Sequence, residues 1–315
     1  MRFVLLVLAL AAAGAQAQAW PSKPVRMVIT FPPGGPSEIL TRFVNERLQA
    51  TYRQPFVIEN RAGAGGNIGA EAVARSAADG HTFGITTDTL FTVNPHVYRR
   101  MPLDVWTDVA PVTLLGSFSQ MMVCNPAVPA KSLAELLQLA RRQSLSYASG
   151  GAGVPGHLAA ELLLFSTGTT MLHVPYKGPA AATTDVIGGQ VQCGFLATPT
   201  VLPHVRSGKL NAFAVSTVKR SPLAPDVPTA AEAGVANFDA PFYLVLFAPK
   251  GTPAAVMDTV SREFAAGLAT PEVRERAAAL DVVTLGGTPE ETTRTLKDAA
   301  AKWAGVVQRI GLKLD

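Results

Sequence analysis

Short, nearly continuous apolar runs alternate along the chain with longer segments whose apolar residues recur every three to four positions. The runs at 25–31, 56–59, 82–87, 120–124, 145–148, 171–175, 191–196, 210–216, 243–248 and 282–285 predict β-strands. Several lack the in–out alternation of a half-exposed strand and fit parallel strands covered on both faces. Helix starts are marked by their caps. Ser132-Leu-Ala-Glu135, Thr229-Ala-Ala-Glu232 and Thr288-Pro-Glu-Glu291 have the form of capping boxes. Thr252-Pro253, Thr270-Pro271 and Thr288-Pro289 each place a cap before a proline. Behind them Val256, Val260, Phe264 and Leu268 make one stripe, and Leu296, Ala300, Trp303, Val307 and Ile310 another. Trp303 reads as core. Alternating strands and helices imply an α/β protein with parallel-rich sheets flanked by helices.

The first residues change this picture by adding a destination. Met1-Arg2 precedes an uncharged run at 3–13 and overlapping A-x-A sites at 15–17 and 17–19. That is the pattern of a secretory signal peptide cleaved near Ala19, and it predicts an exported, periplasmic protein beginning at Trp20. The run is shorter than the ~20 residues a membrane span needs. The rest of the 315 residues exceeds one typical core and predicts two domains. The formal charge of +4 is scattered, with no Lys/Arg block. It argues against a nucleic-acid partner and for a mild bias toward anionic small ligands. Cys124 and Cys193 both lie in apolar, strand-like runs. Export permits a bridge, but their spacing does not supply the Cα separation one needs. The reading favoured is two buried thiols acting as small hydrophobes.

Candidate chemistry is sparse. Gly151-Ala-Gly153-Val-Pro-Gly156 matches G-x-G-x-x-G between a strand and a helix. A dinucleotide site also needs an acidic residue about 20 positions on, and Leu172-His-Val-Pro-Tyr-Lys177 has none. What remains is a glycine loop opening a helix, suited to an anion. Gly63-Ala-Gly-Gly-Asn-Ile-Gly69 has the wrong spacing for a phosphate loop and reads as a structural turn. His81, His96, His157, His173 and His204 show no metal-ligand spacing, and no nucleophile elbow is present. No cofactor, metal or catalytic set is expected. The informative segments are the strand-to-helix loops at 32–38, 86–89, 149–156, 177–181 and 197–199. In open parallel sheets ligands bind at such carboxyl ends. Pro32-Pro-Gly-Gly-Pro36 brings bare backbone forward, with Gly34 and Gly35 removing side chains and the prolines stiffening the loop.

A family resemblance follows from these and other fragments. They are Trp20-Pro-Ser-Lys-Pro-Val25, Phe31-Pro-Pro-Gly-Gly35, Glu59-Asn-Arg-Ala-Gly-Ala-Gly-Gly-Asn-Ile-Gly69, His173-Val-Pro-Tyr-Lys-Gly178 and Asp226-Val-Pro-Thr-Ala-Ala-Glu-Ala-Gly234, in that order. The chain resembles the substrate-binding receptors of tripartite tricarboxylate transporters, the Bug family. The resemblance implies a two-lobed type II periplasmic-binding-protein fold with the ligand cleft between the lobes. One lobe would be discontinuous, 20–118 with 243–315, and the other 119–242. It implies a small organic carboxylate as ligand, membrane permease subunits as partners and a monomer. Carried across, the ligand wall is Phe31, Pro33, Gly34, Gly35, Ser37, Glu38, Thr86, Thr87 and Asp88 from one lobe. Ser149, Gly150, Gly153, Val154, Lys177, Gly178, Pro179 and Thr198 face it from the other.

The chain departs from the family pattern at Glu38, where Asp is usual, in the hydroxyl-poor loop after Ser149, and after Phe195, where an Asp is usual. Fewer hydroxyls predict a ligand with one carboxylate and an apolar or aromatic remainder touching Phe118, Phe242 or Tyr243. Three bland roles stay open beside the ligand role: Glu38 as a helix-end charge, Asp88 as a turn residue, Lys177 as a solvent-facing side chain. A ligand sensor for a signalling partner, or a secreted α/β enzyme, are the alternative functions.

Overall fold

The computed structural model describes residues 20–314. The predicted signal peptide lies outside the described residues. Among these, the strands in chain order are β1 (Val25–Ile29), β2 (Phe56–Asn60), β3 (Thr82–Thr87), β4 (Val109–Phe118), β5 (Gln120–Cys124), β6 (Ser146–Ser149), β7 (Leu172–Pro175), β8 (Cys193–Ala197), β9 (Asn211–Val215), β10 (Phe242–Pro249) and β11 (Val282–Gly286). The helices are α1 (Pro36–Tyr52), α2 (Asn67–Ala74), α3 (Thr89–Thr92), α4 (Asn94–Val97), α5 (Leu133–Arg142), α6 (Pro155–Thr167), α7 (Pro179–Ile187), α8 (Thr198–Arg206), α9 (Ala254–Leu268), α10 (Pro271–Ala279) and α11 (Pro289–Ile310).

Two sheets result, giving a two-lobed α/β molecule. One has six strands in the order β11-β4-β10-β3-β1-β2, the other five in the order β7-β6-β8-β5-β9. β1 pairs in parallel with β2 and β3, and β6 in parallel with β7 and β8. β10, β11 and β5 run antiparallel to their neighbours. Each predicted apolar run is a strand or the body of one. β4 was not predicted, because Pro111 interrupts its pattern. In the sheet β11 pairs only with residues 114–118 of β4, and the register against β10 shifts beside Pro111, so the missing N–H breaks no ladder there.

Helices cover both faces of each sheet. In the first lobe Leu40 and Val44 of α1 and Phe264 of α9 pack on Met27, Ile29 and Phe83. Val73 of α2, Phe91 of α3 and Leu296 of α11 cover the opposite face at Val28 and Phe247. In the second lobe Leu136 of α5 and Leu158 of α6 pack on Tyr147 and Phe195, and Val186 of α7 and Val201 of α8 on Met121 and Ala148. Trp303 is core as read, with 1% exposure. It sits with Val306 and Val307 in the core of the second sheet, stacked 5.2 Å from Phe242, so α11 spans both lobes. Two local expectations are corrected. The Thr229–Glu232 box forms, but closes only a turn, since Gly234 follows at φ 100°. Cys124 and Cys193 are disulfide-bonded rather than free thiols. They lie directly opposite in the β5–β8 register, a proximity that a sequence separation of 69 conceals.

Glycines set the closest approaches. A Cβ on Gly156 would lie 2.1 Å from the Phe195 carbonyl oxygen, so α6 can lie this near β8 only with glycine there. Gly156→Ala is expected to lower stability by about 3 kcal/mol. Gly305, inside α11 with nothing within 4 Å, is the control; Gly305→Ala should raise stability by about 1 kcal/mol. Denaturant unfolding of both variants checks the pair.

Candidate functional site

Strand direction decides which loops meet. β4 ends at Phe118 and β5 begins at Gln120, so one residue, Ser119, carries the chain between sheets. Thr87 at the end of β3 registers with Leu244 near the start of β10, and Phe118 with Phe242. The carboxyl ends of β1, β2 and β3 therefore point toward the crossing. In the other sheet Gln120 registers with Ala197 at the end of β8, so β6, β7 and β8 also end at the crossing. Both sets of strand-to-helix loops border one interlobe cleft.

Helix capping separates this region from the rest. Among described helices of eight or more residues, α5, α10 and α11 are capped by Ser132, Thr270 and Thr288 side chains. α1, α2, α6, α7 and α8, which open at the cleft, have no side-chain cap; α9 is the other uncapped one. An uncapped first turn keeps backbone N–H groups and the positive dipole end for an external anion.

In the first lobe Phe31 is half-buried, and Pro33 and Gly34 are exposed. Gly34 has φ 88° and Gly35 φ −82°, and a Cβ on either would meet nothing within 4 Å. Ser37 and Glu38 are buried. The Glu38 carboxylate accepts from Arg42, from Gly34 N–H at 3.1 Å and from Asn60 Nδ2 at 3.3 Å. Arg42 first, then Gly34, hold its pKa below the usual carboxylate value. Glu38 thus braces the proline–glycine loop. Thr86 is buried and accepts from Thr30 Oγ1 at 3.0 Å, while Thr87 bonds Thr89 at 2.7 Å. Asp88 is fully buried. Its N–H donates to Tyr243 O at 2.9 Å, and its Oδ1 accepts from Tyr243 N–H at 3.0 Å, tying β3 to the returning β10. Its Oδ2 has no partner, and burial pushes the carboxyl up to about 7.

In the second lobe Ser149 is fully buried, with its hydroxyl bonded to Gly151 and His173. Gly150 O accepts from Gly178 N–H at 3.0 Å, stitching the two loops together. Val154 and Gly178 are half-buried, Lys177 and Pro179 exposed. Gly153 lies against the C-terminal tail: a Cβ there would meet Leu314 at 3.2 Å. Thr198 is buried at the crossing, bonded to Ser119 Oγ at 2.7 Å. Ser119 Oγ also donates to Asp281 at 2.5 Å, and Ser221 Oγ donates to the same carboxylate. Burial pushes the Asp281 carboxyl up against these bonds.

Of the apolar contacts expected for the ligand, Phe242 is corrected. Phe242 is fully buried against Trp303. Phe118 and Tyr243 line a second groove of about 280 Å3 with Pro222, Val283 and Leu285. That groove lies at the crossing, lined also by Ser119 and Asp281, with Tyr243 on β10 beside β3. The glycine loop read as a structural turn is one, with Gly63 at φ 134°, Gly65 at 62° and Gly66 at 95°. A Cβ on Gly66 would lie 3.0 Å from Thr30 Oγ1 and 3.2 Å from Thr86 Oγ1.

Two lobes joined by crossing strands, with uncapped helix starts facing across the join, define a two-lobed solute-binding protein. The chain belongs to the tripartite tricarboxylate transporter receptor family, whose model matches residues 40–312. It is 36% identical over 306 residues to Protein BugT of Bordetella pertussis, covering 96% of this chain and 94% of that one. Among solved structures, R. palustris Rpa4515 with adipate is 33% identical with a TM-score of 0.83, covering 93% of this chain and 99% of that one. The periplasmic binding protein BugD is 30% identical with a TM-score of 0.79, at the same coverages of 93% and 99%.

Asp88 generates a pH prediction. An acid whose folded pKa is raised contributes stability that is full below its unfolded value, near 4, and is lost as pH rises through about 7. Between those values the loss is at most about 1.4 kcal/mol per pH unit. Asp88→Asn should therefore gain stability relative to wild type as pH rises from 5 to 8. Denaturant unfolding at the two pH values checks the sign.

Proposed function

We propose that the chain is a periplasmic receptor that closes on a small organic carboxylate and delivers it, chemically unchanged, to a tripartite tricarboxylate-type permease. The observation that carries this reading is the set of uncapped helix starts bordering the cleft, against side-chain caps on α5, α10 and α11. They meet a carboxylate with backbone donors and no buried cation. The family match and the adipate in the Rpa4515 structure support the ligand class. The moving bodies are 20–118 with 243–315, and 119–242, except that Val93, Val97 and the end of α11 from Trp303 on pack with the second. Closure is a hinge at Ser119 and at the return before Phe242.

The ligand carries one carboxylate and an apolar remainder. Side chains able to hold a second charge are few. The Ser149 hydroxyl is spent on Gly151 and His173, Thr198 is tied at the crossing, and Glu38 is paired with Arg42. A second carboxylate left unpaired in a closed cleft costs several kcal/mol. Calorimetric titration with hexanoate, benzoate, adipate, malate and citrate tests this. Hexanoate or benzoate should bind more tightly than malate or citrate and be recovered intact by NMR. Tight citrate binding would refute the single-carboxylate ligand, and turnover of any acid would refute the receptor.

Gly35 tests the loop itself. Because its φ is accessible to alanine and no atom lies within 4 Å of the new methyl, Gly35→Ala should keep the fold, moving the melting temperature by no more than about 4 °C. The methyl enters the space offered to the ligand, and the affinity for the best-bound acid should fall about tenfold, roughly 1.4 kcal/mol.

A further inference from the structure

Under the loop of the second lobe lies a column of rings that the receptor reading does not use. His157 stacks on His173 with centroids 3.9 Å apart and planes 8° apart, and His173 stacks on Tyr147 at 4.9 Å. His157 comes from the first turn of α6, His173 from β7 and Tyr147 from β6. His157 and Tyr147 are buried and His173 half-buried. Glu161, one turn further along α6, accepts from Tyr147 Oη at 2.5 Å and lies 3.9 Å from His157 Nε2.

Both imidazoles end on the loop. His157 Nδ1 accepts the Gly153 N–H at 3.0 Å. A ring nitrogen can accept only when it carries no proton, so His157 is neutral with its proton on Nε2. Ser149 Oγ donates to Gly151 O at 2.8 Å and accepts from Gly151 N–H at 3.2 Å, leaving a lone pair for His173 Nε2–H at 2.7 Å. His173 then carries a proton on Nε2. Burial lowers both pKa values, His157 to about 3, with His173 adding to the shift, and His173 to about 4. The loop they hold contains Gly151 at φ 148° and Gly153 at φ 74°, which has no intrinsic reason to keep one shape.

We infer that His157 and His173 are positioning residues for ligand capture: two stacked, uncharged imidazoles fix the Ser149, Gly151 and Gly153 backbone so that the remaining loop amides face the cleft. The inference rests on the receptor reading. The pair acts through the loop and does not touch the ligand. An uncharged pair suits that place, since a cation there would break the Gly153 bond and would sit against a second ring with the same tendency to protonate.

The test uses the full mature chain, with hexanoate as probe. His157→Leu and His173→Leu remove the loop partners. His157→Asn keeps an acceptor near the Nδ1 position, and His173→Gln keeps a donor near the Nε2 position. Amide exchange at Gly151 and Gly153 in the ligand-free protein should quicken about tenfold or more in the leucine variants and return to within about threefold of wild type in the conservative ones. Hexanoate affinity should follow the same order. Unchanged exchange in the leucine variants, or equal loss in all four, would overturn the inference by reducing the rings to packing. Long-range 1H–15N spectra of the wild type decide it without any variant. Both rings should be neutral Nε2–H tautomers at pH 6, and a charged ring or an Nδ1–H on His157 would overturn it. If the wild type binds neither hexanoate nor any other acid, the receptor reading fails, while exchange and the tautomer spectra still decide the role of the imidazoles.

Discussion

The first turn of a helix presents backbone N–H groups that nothing in that helix can accept, and the site depends on where this chain leaves them unanswered. Ser132, Thr270 and Thr288 answer for their helices with hydroxyls. At the cleft the equivalent positions are Gly35, Gly66, Val154, Gly178 and Ala197, none of which can do so through a side chain. Proline follows within two residues at four of these starts, setting φ for the helix without needing a donor. The result is an anion-seeking surface made of main chain.

The acidic groups near this surface are disposed so as not to oppose it. Glu38 is neutralised by Arg42 and by the Gly34 amide, turning a carboxylate at the mouth of the site into a brace for the loop that carries it. Asp88 and Asp281 serve the join between the lobes. Asp88 clasps the main chain of Tyr243 where β10 re-enters the first sheet. Asp281 gathers Ser119 from the crossing and Ser221 from the second lobe. Burial pushes both carboxyls up, and their bonds lie at the join between the lobes. The C-terminal helix adds a further link, with Leu296 in one core and Trp303 in the other.

Much of the fold was legible because its signals are local. The strand runs, the Ser132 and Thr288 caps and the stripe ending at Trp303 all act within a turn or a few residues. The failures have local causes too. Pro111 hid β4, since a proline is harmless in a strand only where no neighbour needs its N–H, and that depends on how far β11 extends. Thr229 promised a helix that Gly234 cut short. The site was legible as a set of loops but not as a set of side-chain roles. Ser149 reads as a ligand hydroxyl, and its partner His173 is 24 residues away. Thr198 reads as cleft wall, and its partner Ser119 is 79 residues away.

By itself, then, the sequence determined most of the strands and helices, though not β4, and which loops join strand ends to helix starts, because periodicity, proline and glycine act over a few bonds. It also carried the family. Only the tertiary structure decided that Cys124 meets Cys193, that Phe242 is buried against Trp303, and that Gly66 packs on Thr30 and Thr86. These outcomes depend on strand register and on the packing of helix against sheet. Such contacts join residues far apart in the chain, and no local pattern encodes their distance.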